Sequence, residues 1–234
     1  METPVGLERC LSFINCQMQP AGRNVTYSAG ARRVAVTISR QAGCGALVVA
    51  EKLAARLQKQ ARKDAPPWTV FDRNLMEQVL KDHNLPARLA RFLPEDRITE
   101  LQDITDELFG LHPTSWTMVR QTAETILRLA ELGNVIMIGR GANLVTARLS
   151  HVFHVRLVAP LESRVEHAHE FYKMSKKAAH AFCLREDRGR ERYLKKYFGA
   201  KFDDPLLYHL TLNTGLVSYD QAAEIIGEGV SGLR

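Results

Sequence analysis

The chain has 234 residues, 45% of them hydrophobic, and this length is enough to bury the core of one folded domain. Lys and Arg outnumber Asp and Glu by 32 to 26, so the net charge of +6 suits an anionic partner, either a phosphorylated metabolite or a nucleic acid. The four scattered cysteines exclude a disulfide framework or a CxxC zinc site, and no apolar run approaches the roughly 20 residues of a membrane span. We expect a cytoplasmic protein with no membrane partner.

Residues 1–32 are mixed in character and form an N-terminal extension whose role the sequence does not define. After them, the buried-strand pattern of residues 34–38 runs into a glycine turn and an amphipathic helix with apolar positions from Leu47 to Leu57. In such a strand-loop-helix, backbone N–H groups of the loop and the helix N-terminus bind phosphate. The position of Gly43 and Gly45 therefore favours a phosphate-binding loop over an ordinary tight turn.

This loop departs from the GxxxxGK[ST] pattern of P-loops. Arg40 replaces the first glycine, Ala46 the lysine and Leu47 the hydroxyl residue. A hydrogen bond to a charged group contributes about 1.5 to 3 kcal/mol, so losing the lysine should weaken nucleotide binding by about one to two orders of magnitude. Arg40 or an arginine from later in the chain is the candidate replacement for that charge.

A second short strand is predicted at residues 68–71, and Asp72 and Arg73 follow it. Asp72 is either the N-cap of a helix that starts near Asn74 or a contact to a ligand, and the pattern leaves both open. From residue 74 to residue 132 helical patterns dominate, and we interpret them as a helical insertion. Arg120 to Leu132 is the clearest of these predicted helices.

A third strand is predicted at residues 135–138, a continuous apolar run of the kind found in parallel sheets that are buried on both faces. Gly139, Arg140 and Gly141 follow it directly. A charged residue between two glycines at the end of a buried strand is suited to bidentate contact with a phosphate. The carboxyl ends of parallel strands meet at one edge, where ligands bind. We expect Arg140 to face that edge.

Two further strands complete the pattern. Residues 152–158 are predicted to lead to a helix that starts at Pro160, and residues 206–212 to precede a helix with the capping-box spacing of Ser218 to Gln221. Alternation of strands and helices predicts a three-layer α/β fold with right-handed crossovers.

A second basic cluster spans residues 185–192. Arg185, Arg188 and Arg192 are separated by three and four residues, so they lie on one helical face. The segment is either a solvated, salt-bridged helix, with Glu186 and Arg190 as an i,i+4 pair, or a lid whose arginines close over a polyphosphate.

Taken together, the order of these strand ends and basic segments resembles the cytidylate kinase-like family of P-loop nucleoside monophosphate kinase relatives, over about residues 33–230. The segments that carry the resemblance are residues 37–45, 71–73, 111–116, 135–143, 185–197 and 212–214. It implies a P-loop NTPase-like fold with a five-stranded parallel sheet. It also implies that residues 74–132 are a helical monophosphate-binding insertion and that residues 183–200 are a short arginine-rich lid.

The resemblance also implies roles for individual residues. The ATP phosphates are expected to contact Arg40, Gly43, Cys44, Gly45, Ala46 and Arg190. The phosphate acceptor is expected to contact Asp72, Arg73 and Arg140, and the catalytic set is expected to be Arg140, Arg185, Asp187 and Arg188. Magnesium is expected to be carried by the nucleotide phosphates, with no metal ligand from the protein.

The leading hypothesis is thus magnesium-dependent transfer of the ATP γ-phosphoryl to a nucleoside monophosphate, with CMP or dCMP as the expected acceptor. The alternative is a nucleotide-binding sensor module that has lost catalysis, because Ala46 stands where the lysine belongs. Nucleic-acid binding is the least favoured function, since the arginines cluster at predicted strand ends with few aromatic residues between them. Oligomeric state does not follow from the sequence.

Overall fold

The computed structural model describes residues 33–62, 65–72, 95–109 and 117–233. The strands of this part are β1 (Ala35–Arg40), β2 (Thr69–Phe71), β3 (Val135–Ile138), β4 (Val152–Val158) and β5 (Leu210–Asn213). Its helices are α1 (Ala46–Gln60), α2 (Glu95–Phe109), α3 (Thr117–Leu132), α4 (Ala142–Val145), α5 (Leu161–Tyr172), α6 (Lys176–Phe198) and α7 (Tyr219–Ser231). A short 3-10 turn, Pro205–Leu207, precedes β5.

The strands form one parallel sheet in the order β2-β3-β1-β4-β5. The central strand β1 pairs with β3, where Val36 lies opposite Ile136, and with β4, where Val36 lies opposite Phe153. The predicted five-stranded parallel sheet is therefore confirmed. Its order brings the ends of β1 and β3, and with them Arg40 and Gly139, side by side.

Apolar side chains cover both faces of this sheet, as the continuous apolar runs of β1 and β3 require. On one face, Val36, Ile136 and Val155 pack with Leu53 of α1 and Ile226 of α7. The other face packs against α2, α3 and α4 through a second buried cluster, which includes Ala35, Leu127, Met137, Val145 and Val152. Helices on both faces of the sheet confirm the predicted three-layer α/β architecture.

The last strand differs from its prediction. It begins at Leu210 and ends at Asn213, whereas the sequence predicted residues 206–212. Pro205 cannot donate a backbone hydrogen bond, and the Asp204 carboxylate accepts one from the Leu206 N–H at 3.0 Å, so the chain turns there before it enters the sheet. The prediction missed this local cap.

The observed helices agree better with the predictions made from the sequence. The predicted helix at Arg120–Leu132 is the main part of α3, and α2 adds a second helix within the predicted insertion. The capping box of α7 is confirmed, since the Ser218 hydroxyl accepts from the Gln221 N–H and the Gln221 side chain accepts from the Ser218 N–H. In the part of the chain that the structure describes, no helix is long and apolar enough to cross a membrane. The N-terminal extension, residues 1–32, lies outside the described residues.

Candidate functional site

The second half of the loop between β1 and α1 presents backbone N–H groups without partners. Gly43 (φ 82°) and Gly45 (φ 73°) adopt left-handed conformations, and Gly45 caps α1 with no side-chain hydrogen bond. Among the described residues, no acceptor binds the N–H groups of residues 43–48. Unpaired amides at the start of a helix form a site for an anion. The loop therefore keeps the donors of a phosphate cradle even though it lacks the lysine.

Hydrogen bonds from the rest of the molecule fix this loop in place. The Gln41 N–H donates to the Leu157 carbonyl at 3.1 Å, and the Cys44 thiol donates to the Gln41 carbonyl at 3.0 Å. From the other side, the Thr214 hydroxyl donates to the Cys44 carbonyl at 3.0 Å. The loop is thus held in shape without a ligand, which lowers the entropic cost of binding one.

Position 45 strongly favours glycine. Besides its left-handed φ, a Cβ atom there would lie 2.7 Å from the Tyr219 hydroxyl oxygen and would overlap the tyrosine ring. Tyr219 begins α7, so the last helix of the domain closes directly onto the phosphate loop.

A partly buried ion pair connects the loop to α6. The Asp187 carboxylate accepts from the Ala42 N–H at 2.7 Å and pairs with the Arg164 guanidinium at 2.6 Å. Arg164 also donates to the carbonyls of Ala42 (3.2 Å) and Ala159 (2.9 Å). Asp187, which the sequence placed among the catalytic residues, here makes the contacts of a residue that positions the loop.

Burial, and not the helix terminus, dominates the chemistry of the loop thiol. It raises the pKa of Cys44 to about 11, although the nearby charges of Arg40, Arg190 and Arg164 act in the opposite direction. The thiol is protonated at neutral pH and serves as a small hydrogen-bonding residue. The same three guanidinium groups surround the loop with positive charge where the loop itself supplies no lysine.

Arg40 and Arg190 form a pair of like charges beside this loop. The pKa of Arg40 is lowered to about 10, first by its burial and then by the charge of Arg190. Arg190 is balanced in part by Asp187, 3.2 Å away, and Glu186, 3.8 Å away. With this pKa the Arg40 guanidinium is still charged at neutral pH. Such a pair is stabilised by an anion between or above the two groups.

The Gly139-Arg140-Gly141 turn follows β3 with three successive left-handed residues. Their φ angles are 83°, 58° and 70°. The glycines adopt this conformation readily, but Arg140 does so at a cost of about 1 to 2 kcal/mol. A Cβ at position 139 would overlap the guanidinium of Arg40, so the turn also makes room for that side chain. Strain of this kind is concentrated at functional sites.

A cavity of about 370 Å³ lies over the ends of β1 and β3 and under α6. Its walls include a strongly basic set and a smaller apolar set. The basic set is Arg40, Arg140, Arg185, Arg190 and Arg192, and the apolar and aromatic set includes Ile138, Tyr193, Leu194 and Phe202. Positive charge at one part of a cavity with aromatic walls at another suits a small anionic molecule that carries a ring.

Asn143 also lines this cavity, and the sequence analysis did not single it out. Its side chain is only 4% exposed, and its Nδ2 group has no hydrogen-bond partner among the described residues. An unsatisfied buried donor costs about 1 to 3 kcal/mol, so a ligand that accepts from it gains affinity. Its place, two residues after the Gly-Arg-Gly turn, is the signal that would have found it.

A second residue that the sequence reasoning missed contacts Phe202, which lines the cavity. Arg156 is buried in β4, its guanidinium carbon lies 4.2 Å from the centroid of the Phe202 ring, and it donates to the Phe202 carbonyl. Tyr208 donates to Ser39 at 3.2 Å next to it. These contacts hold Phe202 against the cavity. An arginine inside a mostly apolar strand was the available signal.

The structure brings some of the predicted site residues together and separates others. Arg40, Arg140, Arg185 and Arg190 meet at the cavity, and Gly43, Cys44, Gly45 and Ala46 form the loop beside it. Arg188 does not reach the cavity but lies with Arg185 and Arg192 along a groove on the outer side of α6. Asp72 directly follows β2, and its charge acts on Arg40, where it partly opposes the lowering of the Arg40 pKa by burial and by Arg190. Arg73 lies outside the described residues.

Comparison with known proteins identifies the family of this chain. Residues 35–216 match the cytidylate kinase-like family, so the chain belongs to that family, and its sheet order is that of a P-loop kinase-type fold. A solved structure of an uncharacterized protein from Eubacterium ventriosum has the same fold, with a TM-score of 0.58 and 20% identity over 86% of this chain and 99% of that chain.

Other similarities are more distant. Shikimate kinase from Bacteroides thetaiotaomicron aligns with a TM-score of 0.42 and 14% identity over 85% of this chain and 98% of that chain. A uronate isomerase from Corynebacterium glutamicum is 32% identical over 111 residues, which is 47% of this chain and 21% of that protein. The chain thus spans about a fifth of the length of this curated relative.

Proposed function

We propose that the protein is an ATP-dependent phosphotransferase that moves the γ-phosphoryl group to a nucleoside monophosphate, with CMP or dCMP as the expected acceptor. The observation that carries the proposal is the meeting of Arg40, Arg140 and Arg190, from β1, the turn after β3 and α6, at one cavity beside the phosphate loop. Phosphoryl transfer depends on positioning and on stabilisation of charge, and guanidinium groups supply both.

The donor side of this proposal is the loop of residues 43–46. Its N–H groups, together with those of the first turn of α1, would hold the triphosphate, and Arg40 and Arg190 would replace the charge of the absent lysine. Among the described residues, no group of three or more His, Cys, Asp or Glu side chains is arranged to hold a metal ion. Magnesium would be bound through the phosphates, where it neutralises their charge.

The acceptor side is the cavity. Arg140 would bind the monophosphate, Asn143 would donate to an oxygen of the acceptor, and Tyr193 and Phe202 would contact its ring. Residues 183–200, most of which lie in α6, would act as the lid, and residues 74–132 as the acceptor-binding insertion. We place the enzyme and its small-molecule nucleotide substrate in the cytoplasm.

A transfer assay tests the proposal. The purified chain is incubated with ATP, magnesium and a panel of monophosphates (CMP, dCMP, UMP, AMP and GMP), and nucleoside diphosphates are measured by ion-exchange chromatography. CMP or dCMP should be converted. Arg140→Ala should lower kcat/KM about tenfold to hundredfold, because a charged hydrogen bond is lost. Leu206→Ala, at a position that is 91% exposed, is the control. The proposal fails if the wild type forms no more diphosphate than Arg140→Ala.

One observation favours a second function. Ala46 is buried at the position of the missing lysine, so the loop itself contributes no cation to the transition state. A nucleotide sensor would need the binding site without that contribution. Calorimetry that detects ATP binding by a protein with no turnover on any acceptor of the panel would favour the sensor over the enzyme.

A further inference from the structure

A row of aromatic rings leads away from the phosphate loop. Tyr219 lies 5.4 Å from His167, His167 lies 5.5 Å from Phe171, and Phe171 lies 5.0 Å from Tyr172, all measured between ring centroids. Tyr172 in turn lies 5.2 Å from Phe182 on α6. These residues come from α5, α6 and α7, so tertiary packing, and not a sequence repeat, assembles the row. We call these five residues the aromatic row.

Two members of the aromatic row are exposed at the end of α5. Phe171 is 46% exposed and Tyr172 is 51% exposed, so their rings present apolar surface that the described part of the chain does not cover. These two rings are therefore not core residues. Two neighbouring aromatic side chains that are half exposed next to a basic cleft indicate a surface that binds a ring.

One end of the aromatic row touches the phosphate loop. The Tyr219 ring lies against Gly45, where a Cβ would overlap it. Tyr172 is also close to the cations of the site: burial raises its pKa, and the charges of Arg190 and Arg40 act in the opposite direction. Burial lowers the pKa of His167, which keeps its ring neutral at neutral pH and suited to stacking. The row therefore begins at the anion site and continues to the exposed rings.

We propose that Phe171 and Tyr172 of the aromatic row bind the base of the donor nucleoside triphosphate whose phosphates lie on the loop of residues 43–46. This inference rests on the proposed function, since it assumes that a nucleotide occupies that loop. A base has an apolar face that stacks on aromatic rings, and such stacking tolerates any base. The contact adds affinity for the nucleotide without contributing to the phosphate site.

Comparing ATP with inorganic tripolyphosphate separates the base contact from the phosphate contact. Both ligands are titrated with magnesium into the wild type, Phe171→Ala/Tyr172→Ala, the ring-preserving Phe171→Tyr/Tyr172→Phe, and Leu206→Ala. The alanine double variant should bind ATP about tenfold more weakly and tripolyphosphate unchanged, because only the stacking surface is lost. The ring-preserving and Leu206→Ala variants should match the wild type for both ligands.

Several results would overturn the inference. If the wild type binds tripolyphosphate as tightly as ATP, or if the alanine variant keeps full ATP affinity, the base does not stack there and the phosphate site still stands. If the alanine variant weakens both ligands equally, the rings support the loop and do not bind the base. If the wild type sediments as a dimer that the alanine variant abolishes, the surface binds a second copy of the chain. If the wild type binds neither ligand, the proposed function fails as well.

Discussion

Arg140 shows most clearly how the site has shaped a single residue. Its backbone is left-handed (φ 58°), a conformation that glycine adopts without strain, and glycines lie on both sides of it. A third glycine would be the less strained choice at this position. We attribute the arginine to its guanidinium group, which lines the cavity.

This account predicts that Arg140→Gly separates stability from function. The substitution relieves backbone strain of about 1 to 2 kcal/mol. This gain offsets the loss of the arginine's own contacts, so the melting temperature should not fall. KM for the acceptor should rise about tenfold to hundredfold. Arg140→Lys, which keeps the charge but not the bidentate geometry, should lie between the two. A marked loss of stability in Arg140→Gly, with KM unchanged, would show that the arginine is structural.

Asp187 and Arg164 form the residue pair that holds the loop, and we expect them to be strongly coupled. Asp187→Ala should lower the free energy of unfolding by about 3 kcal/mol, because Arg164 is buried and would lose its carboxylate partner. Arg164→Met/Asp187→Ala should lose less than the sum of the single variants. Denaturant unfolding of all four proteins gives the coupling energy. Additive effects would mean that the pair does not stabilise the fold as a unit.

His154 is predicted to make stability depend on pH. Burial and the neighbouring His209 lower the pKa of His154 from 6.5 to about 4, and Thr37 contacts its Nδ1 at 2.8 Å. Between these two pH values the unfolded state binds the proton and the folded state does not. The contribution of His154 is therefore complete above pH 6.5 and is lost as pH falls to about 4, by at most about 3 kcal/mol.

His154→Asn provides the matched comparison, since the amide can replace the hydrogen bond but does not titrate. Its free energy of unfolding, measured by denaturant titration at several pH values, should fall less steeply between pH 6.5 and 4 than that of the wild type. Identical pH profiles for the two proteins would show that other groups control acid stability.

At the residue scale, the sequence predicted what local pattern determines and missed what packing determines. Gly43, Gly45 and Arg140 were identified because each adjoins a strand end, and the structure finds them there. Arg164 and Asp187 lie 23 residues apart on different helices, so no local spacing reveals their contact. The position of Asn143 near the end of β3 was visible in the sequence, but its unsatisfied Nδ2 group was not.

At the scale of elements, α6 shows why the arginine-rich segment had two interpretations. The predicted face of Arg185, Arg188 and Arg192 does exist, and it forms the outer groove. The inner face presents Arg190 and Tyr193 to the cavity, and Arg185 and Arg192 border both. Helical spacing correctly grouped the arginines but could not say which face was turned inward. That depends on how α6 packs on α5, with Asp187 fixed by Arg164.

Substitution by alanine should change the stability of the protein in opposite directions at two glycines, one inside α6 and one at its C-cap. A Cβ at Gly189, inside the helix, would meet no atom within 4 Å, whereas Gly199 ends the helix with a left-handed φ of 62°. Gly189→Ala should stabilise the protein by about 1 kcal/mol and raise the melting temperature by about 2 to 4 °C, while Gly199→Ala should lower it. Calorimetric melting curves test both. If Gly189→Ala destabilised the protein, the description of α6 as a continuous helix with open space at this position would be wrong.

At the scale of the whole molecule, the parallel sheet brings residues that are far apart in sequence to one edge. The sequence predicted this architecture because the long apolar strands, the alternating helices and the family resemblance all agree, and the boundaries of β5 failed where Pro205 and Asp204 act locally. The result is a phosphate loop without a lysine, surrounded by the guanidinium groups of Arg40, Arg190 and Arg164. The central claim is that backbone amides and these arginines together hold a triphosphate.

Calorimetric titration of magnesium ATP into the wild type and Arg40→Ala tests this claim most directly. We predict submillimolar binding by the wild type and a loss of about tenfold or more in Arg40→Ala, the energy of one charged hydrogen bond. Leu206→Ala should bind as the wild type does. If the wild type shows no binding at millimolar ATP, or if Arg40→Ala binds with unchanged affinity, the claim is contradicted.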